Sequence, residues 1–285
     1  MKKGSTRADY YARIERVMAY MADHLFEDLR LETLAEVAAF SPYHFHRIYR
    51  ALARETVAET IRRLRLHHAA GRLVRSQAPV AEIAKQVGYS NAAAFTRAFT
   101  QAFGMSPAAY RAAGPSPAPT HQWSTKDNMM TYDVTFRDWS TTRLATIRHT
   151  GPYMEIGRAF ERLSAWAVSH NMFGPDTKMV AIYWDDPQST APEALRSDAG
   201  LTVTPDFNPD DIVTVQDIPA LRSASIDHKG PYAGLQSAYT WLYGTWLPES
   251  GSETADFPPF EEYLNDPKST PPQELITRIH VPVAS

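Results

Sequence analysis

At 285 residues, 44% hydrophobic and 21% charged, the chain is long for one core and ordinary for a two-domain soluble globular protein. It holds no cysteine, which excludes disulfides, thiolate metal sites and a cysteine nucleophile and fits a reducing cytoplasm. The net charge of −3 hides a division, because residues 1–113 carry 17 Lys+Arg against 10 Asp+Glu and the remainder 12 against 22, so the basic part is the candidate for phosphate.

No apolar run approaches the ~18 residues of a membrane span. The opening "MKKGSTRADYY" lacks an apolar signal core, so a cytoplasmic protein is expected. Ile14, Val17, Met18, Met21 and Leu25 then recur at helical spacing. After "LETLAEVAAF" comes "SPYHFHRIYR", where Ser41 reads as a hydroxyl cap and Pro42 as the first helical residue. Phe45, Ile48 and Tyr49 share one face of that helix and should be core. Tyr43, His44, His46, Arg47 and Arg50 fall mainly on the others.

About fifty residues later "VAEIAKQVGYSNAAAFTRAFTQAFG" repeats the plan. Ala35 aligns with Ala84, Phe40 with Tyr89, Ser41 with Ser90 and, after one extra residue, Phe45 with Phe95 and Arg47 with Arg97. A short helix, a tight turn and a second helix bearing outward basic residues is a helix-turn-helix. Two of them joined by the helix in "VAETIRRLRLHHAAGRLVRS" would present their second helices to successive major grooves. Arginine at 47 and 97 suits a guanine edge or a phosphate, and Arg62, Arg63 and Arg65 are further phosphate candidates. His44 and His46 are two apart and His67 and His68 adjacent, spacings that do not converge on a metal, so none is expected.

Residues 114–129, rich in proline and small polar side chains, read as a semi-rigid linker. Beyond them "DWSTTRLATIRHTGPY" aligns without gaps to "DIPALRSASIDHKGPY", and "YWDDPQSTAPEAL" to "YLNDPKSTPPQEL", at shifts of about 80 residues. Each copy reads as two strands, a Gly-Pro turn, an amphipathic helix and two more strands. The fold expected is therefore multidomain. An all-α double helix-turn-helix domain (1–113) precedes an α+β domain (130–285) duplicated about a pseudo-two-fold axis, with a cleft between the copies.

Residues 8–113 resemble the DNA-binding domain of the AraC/XylS family of transcriptional regulators, through "SPYHFHRIYRALARET", "IRRLRLHHAAGRL", "VAEIAKQVGYSNAAAFTRAF" and "FGMSPAAYR". The resemblance implies base contacts at Tyr43, His46, Arg47 and Arg97, and Arg50, Asn91 and Thr96 complete the candidate DNA-contact set. Two departures stand out. Ala92 and Ala93 replace larger polar residues, thinning direct readout, and Arg54 occupies a helix end where relatives usually carry glycine.

Residues 131–285 resemble the GyrI-like small-molecule-binding domain, through the paired "TGPY" and "KGPY" turns, the two "Y-x-x-DP" segments and "FEEYLNDP". The resemblance implies that Glu261 projects into a ligand pocket; its counterpart in the first copy is Ala181. A buried carboxylate ringed by aromatics favours a lipophilic cation, and Tyr263, Tyr183, Trp184, Tyr153, Tyr232 and Trp241 are the candidate companions. Phe160, Tyr239 and Trp241 also sit at core-like helical spacing. The implied function is a sequence-specific regulator whose partners are double-stranded promoter DNA, a small hydrophobic effector and RNA polymerase, with no cofactor, metal or catalytic residue. The alternatives are a hydrolase with Glu261 as general base, and an acidic interaction module that holds the basic domain in check.

Overall fold

The computed structural model describes residues 7–114 and 131–284; residues 115–129 of the expected linker lie outside the described residues. Seven helices come first: α1 (Arg7–Asp23), α2 (Leu31–Ala38), α3 (Pro42–Ala53), α4 (Val57–Arg75), α5 (Val80–Gln86), α6 (Ala92–Phe103) and α7 (Pro107–Ala113). The pairs α2–α3 and α5–α6 are the two helix-turn-helix units, and α4 connects them. Its start is fixed by a capping box, in which Thr56 Oγ1 accepts from Glu59 N and the Glu59 carboxylate accepts from Thr56 N. Asn91 caps α6 through Ala94 N, and Ser106 caps α7 through Ala109 N. Ser41 holds the cap position of α3 without making the cap bond; its hydroxyl donates to Asp256 Oδ1 instead (2.9 Å).

The two units end their helices alike but with different residues. Ala39 and Gly88, equivalent in the duplication, both lie in the left-handed region, as do Arg54 and Gly104. Glycine adopts that backbone without the Cβ clash that strains alanine or arginine there. The first unit therefore carries strain at both helix ends that the second avoids.

Residues 135–283 form an eight-stranded antiparallel sheet. The strands are β1 (Thr135–Trp139), β2 (Thr142–Thr150), β3 (Met179–Tyr183), β4 (Arg196–Val203), β5 (Thr214–Ile218), β6 (Leu221–Lys229), β7 (Phe260–Tyr263) and β8 (Ile276–Val283), in the order β1-β6-β8-β7-β3-β4-β2-β5. Exchanging the two copies (β1 for β5, β2 for β6, and so on) reverses this order, so the sheet has the expected pseudo-two-fold symmetry. The axis runs between β3 and β7, where Ala181 pairs with its own counterpart Glu261. The first strand of each copy crosses over, β1 to β6 and β5 to β2. One cross-strand ion pair is inverted between the copies: Arg148–Asp198 on β2 and β4 becomes Asp227–Arg278 on β6 and β8.

One face of the sheet carries α8 (Gly157–Ser169) and the segment α9 (Leu235–Trp241), a π turn (Leu242–Trp246) and the short α10 (Leu247–Ser250). The cores are unequally shared. Leu66 and Leu73 of α4, with Ile83, Phe95 and Phe99 of the second helix-turn-helix unit and Tyr110 of α7, form a core confined to the helical part. The core of the first unit continues unbroken into the sheet domain, where Tyr10, Phe45, Ile48 and Leu52 cluster with Leu242, Tyr243, Leu247 and Ile279. No helix among the described residues is long and apolar enough to cross a membrane.

The strained ends give a direct test. Ala39 is exposed with φ 53°, so Ala39→Gly should stabilise the fold by about 1 kcal/mol in urea unfolding, and Gly88→Ala should destabilise it by a similar amount. No gain in stability from Ala39→Gly, or no loss from Gly88→Ala, would show that the two turns are not strained as their backbone angles imply.

Candidate functional site

A cavity of about 1270 Å³ opens between α8 and α9 over the central strands. Its floor is built by strand alternation: on β7, Glu261 and Tyr263 face the helices while Phe260 and Glu262 face the other side of the sheet. Phe260 joins a small apolar cluster there with Leu144, Val180 and Ile182. Glu262 sits among Lys178 (3.1 Å), His280 (3.5 Å) and Arg278 (3.8 Å). Burial alone would raise its pKa, but bonds from His280 and Lys178 outweigh that and hold it down to about 2.

Glu261 is 2% exposed, and phenols satisfy it. Tyr239 Oη donates to Oε1 and Tyr263 Oη to Oε2, each at 3.0 Å. The Tyr263 proton is thus engaged, so the Tyr183 hydroxyl, 2.9 Å away, donates to the Tyr263 oxygen. Tyr183 and Tyr263 are counterparts in the duplication and meet across the axis. Tyr239 is the counterpart of Phe160, whose ring stands edge-on to Tyr263 (5.2 Å); only the copy that holds the acid needs the hydroxyl. Tyr153 packs edge-on to Tyr183 (4.7 Å) and Tyr232 to Tyr263 (5.6 Å). Burial pushes the Glu261 carboxyl up to about 7, against the pull of the tyrosine hydroxyls and of Arg47.

Of the residues read from the sequence for this pocket, Glu261, Tyr263, Tyr183, Tyr153 and Tyr232 line the cavity. Trp184 and Trp241 do not. Trp184 points to the other side of the sheet, where Nε1 donates to Asp198 (2.7 Å) and the ring meets Phe257 and Tyr43. Trp241 leaves the helix on the side of Tyr132 (5.4 Å). Tyr239 and Phe160, which helical spacing alone also allowed as core, line the cavity, as does Tyr243, which the sequence did not single out.

The roof is unexpected. Arg47, Arg50 and Ala51 of α3, and Arg54 at its C-terminal cap, line the same cavity. Arg47 Nη2 donates to Asp185 O (2.6 Å) and Nη1 to Tyr43 O (2.7 Å). His44, expected on an outer face, is fully buried. Its Nε2 lies 2.9 Å from Phe257 O, an acceptor only, so Nε2 carries the proton and Nδ1 accepts from Tyr243 Oη (2.7 Å). Burial, aided by the Arg47 charge, lowers its pKa to about 3, which keeps the ring neutral. The face assigned to DNA on α3 (Tyr43, His46, Arg47, Arg50) is thus partly buried against the sheet domain. On α6, Arg97 is exposed, Thr96 is partly buried and Asn91 serves as the helix cap. On α4, Arg63 is paired with Glu55 (2.6 Å), which takes one of the phosphate candidates. Among the described residues no group of three or more His, Asp and Glu side chains is placed to hold a metal.

The family model described as the GyrI-like small-molecule-binding domain matches residues 132–284, and one described as a helix-turn-helix domain matches 34–113. A DNA gyrase inhibitor of Serratia proteamaculans (strain 568) is 33% identical over 138 residues, 47% of this chain and 87% of its own. The uncharacterized HTH-type transcriptional regulator YbfP of Bacillus subtilis (strain 168) is 34% identical over 103 residues, 36% of this chain and only 35% of its own. Among solved structures, an EcmrR–DNA complex superimposes with a TM-score of 0.47 at 18% identity, covering 56% of this chain and 60% of that one.

If the Glu261 carboxylate attracts a cation, affinity for tetraphenylphosphonium should fall by up to about tenfold per pH unit as pH drops below 7. Calorimetric titration from pH 5.5 to 8.5 reads this, and a flat profile would remove the charge from the account. The raised carboxyl also fixes a sign for stability: its unfavourable ionisation begins above the ordinary value of 4.5 and is complete above 7. Glu261→Gln should therefore stabilise the fold by up to about 3 kcal/mol at pH 8 and by little at pH 4.

Proposed function

For a chain that belongs to the GyrI-like small-molecule-binding family and carries an AraC-type DNA-binding domain ahead of it, we propose a transcription regulator that reads promoter DNA through α3 and α6 and answers to a small lipophilic cation. The observation that carries the effector reading is the Glu261 carboxylate, buried on the pseudo-two-fold axis beneath Tyr183, Tyr239 and Tyr263. A desolvated anion in a cavity lined by aromatic side chains binds a soft cation and gives up little to water in doing so. RNA polymerase is the further partner that such a regulator would engage.

A hydrolase that uses Glu261 as general base is the competing reading, favoured by its near-neutral carboxyl. Against it, each carboxylate oxygen is engaged by a tyrosine hydroxyl, and among the described residues no side chain around the acid is placed as a nucleophile or as a partner acid for hydrolysis. Turnover of an electrophilic ester or epoxide, lost in Glu261→Gln, would reverse this preference.

Selection from a random DNA pool with the full-length protein should enrich a two-part site with halves about one turn apart. On that site Arg97→Ala should cost about 1–3 kcal/mol and relax one position; a uniform loss over all sequences makes Arg97 a phosphate contact. Glu261→Gln should weaken tetraphenylphosphonium binding by at least about tenfold, and undiminished binding removes the acid from the effector site.

A further inference from the structure

We infer that the sheet domain is an intramolecular inhibitor of the first helix-turn-helix unit, and that α3 and a cationic effector compete for the same cavity. This rests on α3 being a DNA-reading helix. A helix in the major groove needs its reading face free and surrounded by duplex. Here that face is occupied. Ser41 bonds Asp256, His44 bonds Tyr243 and Phe257, Arg47 bonds Asp185 O, and Tyr43 packs on Trp184. A Cβ on Gly244, in the π turn after α9, would lie 3.2 Å from the Ala51 Cβ, a few tenths of an ångström tighter than ordinary contact, so α3 sits directly against this turn. Arg7–Glu249 (2.8 Å) and Arg13–Glu253 (2.6 Å) extend the contact to α1 and join the basic half to the acidic one. The second unit is not covered in this way: its core contains no sheet-domain residue, and Arg97 is exposed.

Electrostatics gives the direction of the response. With α3 docked, the cavity has Glu261 below, Glu161, Asp186, Asp266 and Lys268 on its sheet-domain walls, and Arg47, Arg50 and Arg54 above. A cation entering it meets three guanidinium groups at close range in a partly desolvated space. Release of α3 removes all three and leaves a wall with four acids (Glu161, Asp186, Glu261, Asp266), one lysine (Lys268) and the aromatic ring. A lipophilic cation therefore binds the released form more tightly and must shift the equilibrium toward it, and by reciprocity operator DNA must raise affinity for the cation. For an anionic amphiphile the preference inverts: the arginine roof favours the docked form. One cavity thus converts the sign of an effector's charge into the sign of its effect on DNA binding.

The chain has no cysteine, so two introduced thiols can pair only with each other within one molecule. In the full-length Ala51→Cys/Gly244→Cys protein the Cβ atoms lie within a few tenths of an ångström of disulfide geometry. Oxidised with diamide, it should bind the selected operator at least about 100-fold more weakly than after reduction, and addition of tetraphenylphosphonium should restore nothing. Tyr243→Phe leaves α3 untouched but removes a hydrogen bond to buried His44, so it should raise operator affinity about tenfold. In wild type, tetraphenylphosphonium should raise operator affinity by about 5–150-fold and dodecyl sulfate, below its micellar concentration, should lower it. Equal operator binding by the oxidised and reduced forms, or unchanged affinity in Tyr243→Phe, overturns the inference while leaving DNA reading intact. If the reduced protein selects no operator at all, the DNA-reading assignment itself fails, and the inference with it.

Discussion

The pairing of β3 with β7 is the constraint on which the sheet domain depends. It joins two copies of one unit so that counterparts face each other, and it sets Ala181 opposite Glu261. Two carboxylates at that spacing in a dry interior could not both ionise without a large penalty. A single acid on the axis avoids this, and the neighbours differ accordingly. Tyr183 and Tyr263 remain symmetric because they share one hydrogen bond across the axis, while Phe160 and Tyr239 have diverged because only one of them meets the carboxylate. The functional asymmetry of the domain is one methyl group against one carboxylate, propagated one shell outward.

The second determinant is how the helical part meets this domain. A continuous apolar core from Tyr10 and Phe45 to Leu242 and Ile279 gives the contact the character of a domain interior. Polar bonds then fix its register: buried His44 has both ring nitrogens satisfied from the sheet domain, and this determines its tautomer. A buried network satisfied only in one arrangement favours that arrangement over near alternatives. The π turn at Leu242–Trp246 is part of the fit, since it delivers Tyr243 and Gly244 to α3 in succession.

Both duplications were legible in the sequence because they are carried by covalent order: turn residues, caps and alternating apolar positions recur at fixed shifts. The two-helix units and the eight strands follow from those patterns, and strand alternation puts Glu261 and Tyr263 on one side of β7, but that this side faces the pocket came from the resemblance to the GyrI-like domain. What was not legible is what depends on one half meeting the other. His44 looks like a surface residue of a basic helix, because its partners Tyr243 and Phe257 lie about 200 residues away. Ser41 looks like a cap because nothing nearby announces Asp256. Trp184 and Trp241 are aromatic and adjacent to pocket positions, but strand alternation and helix rotation point them elsewhere. Tyr239 carried a readable signal that spacing hid: comparison with Phe160 shows a hydroxyl gained in the copy that holds the acid.

The crossing of β1 to β6 and of β5 to β2 has a consequence for how such a domain comes into being. Each copy lends its first strand to the other, so neither can close its own four-stranded half. A single copy made alone would leave β2 or β6 with a bare edge and could satisfy it only by exchanging first strands with a second molecule. One copy made alone would therefore pair as an exchanged homodimer with its cleft on a true two-fold axis. In such a dimer any acid at the axial position appears twice, face to face, and the pair must share a proton. With both copies in one chain the two axial positions can differ, and here alanine on one side leaves the acid on the other with no like charge opposite it.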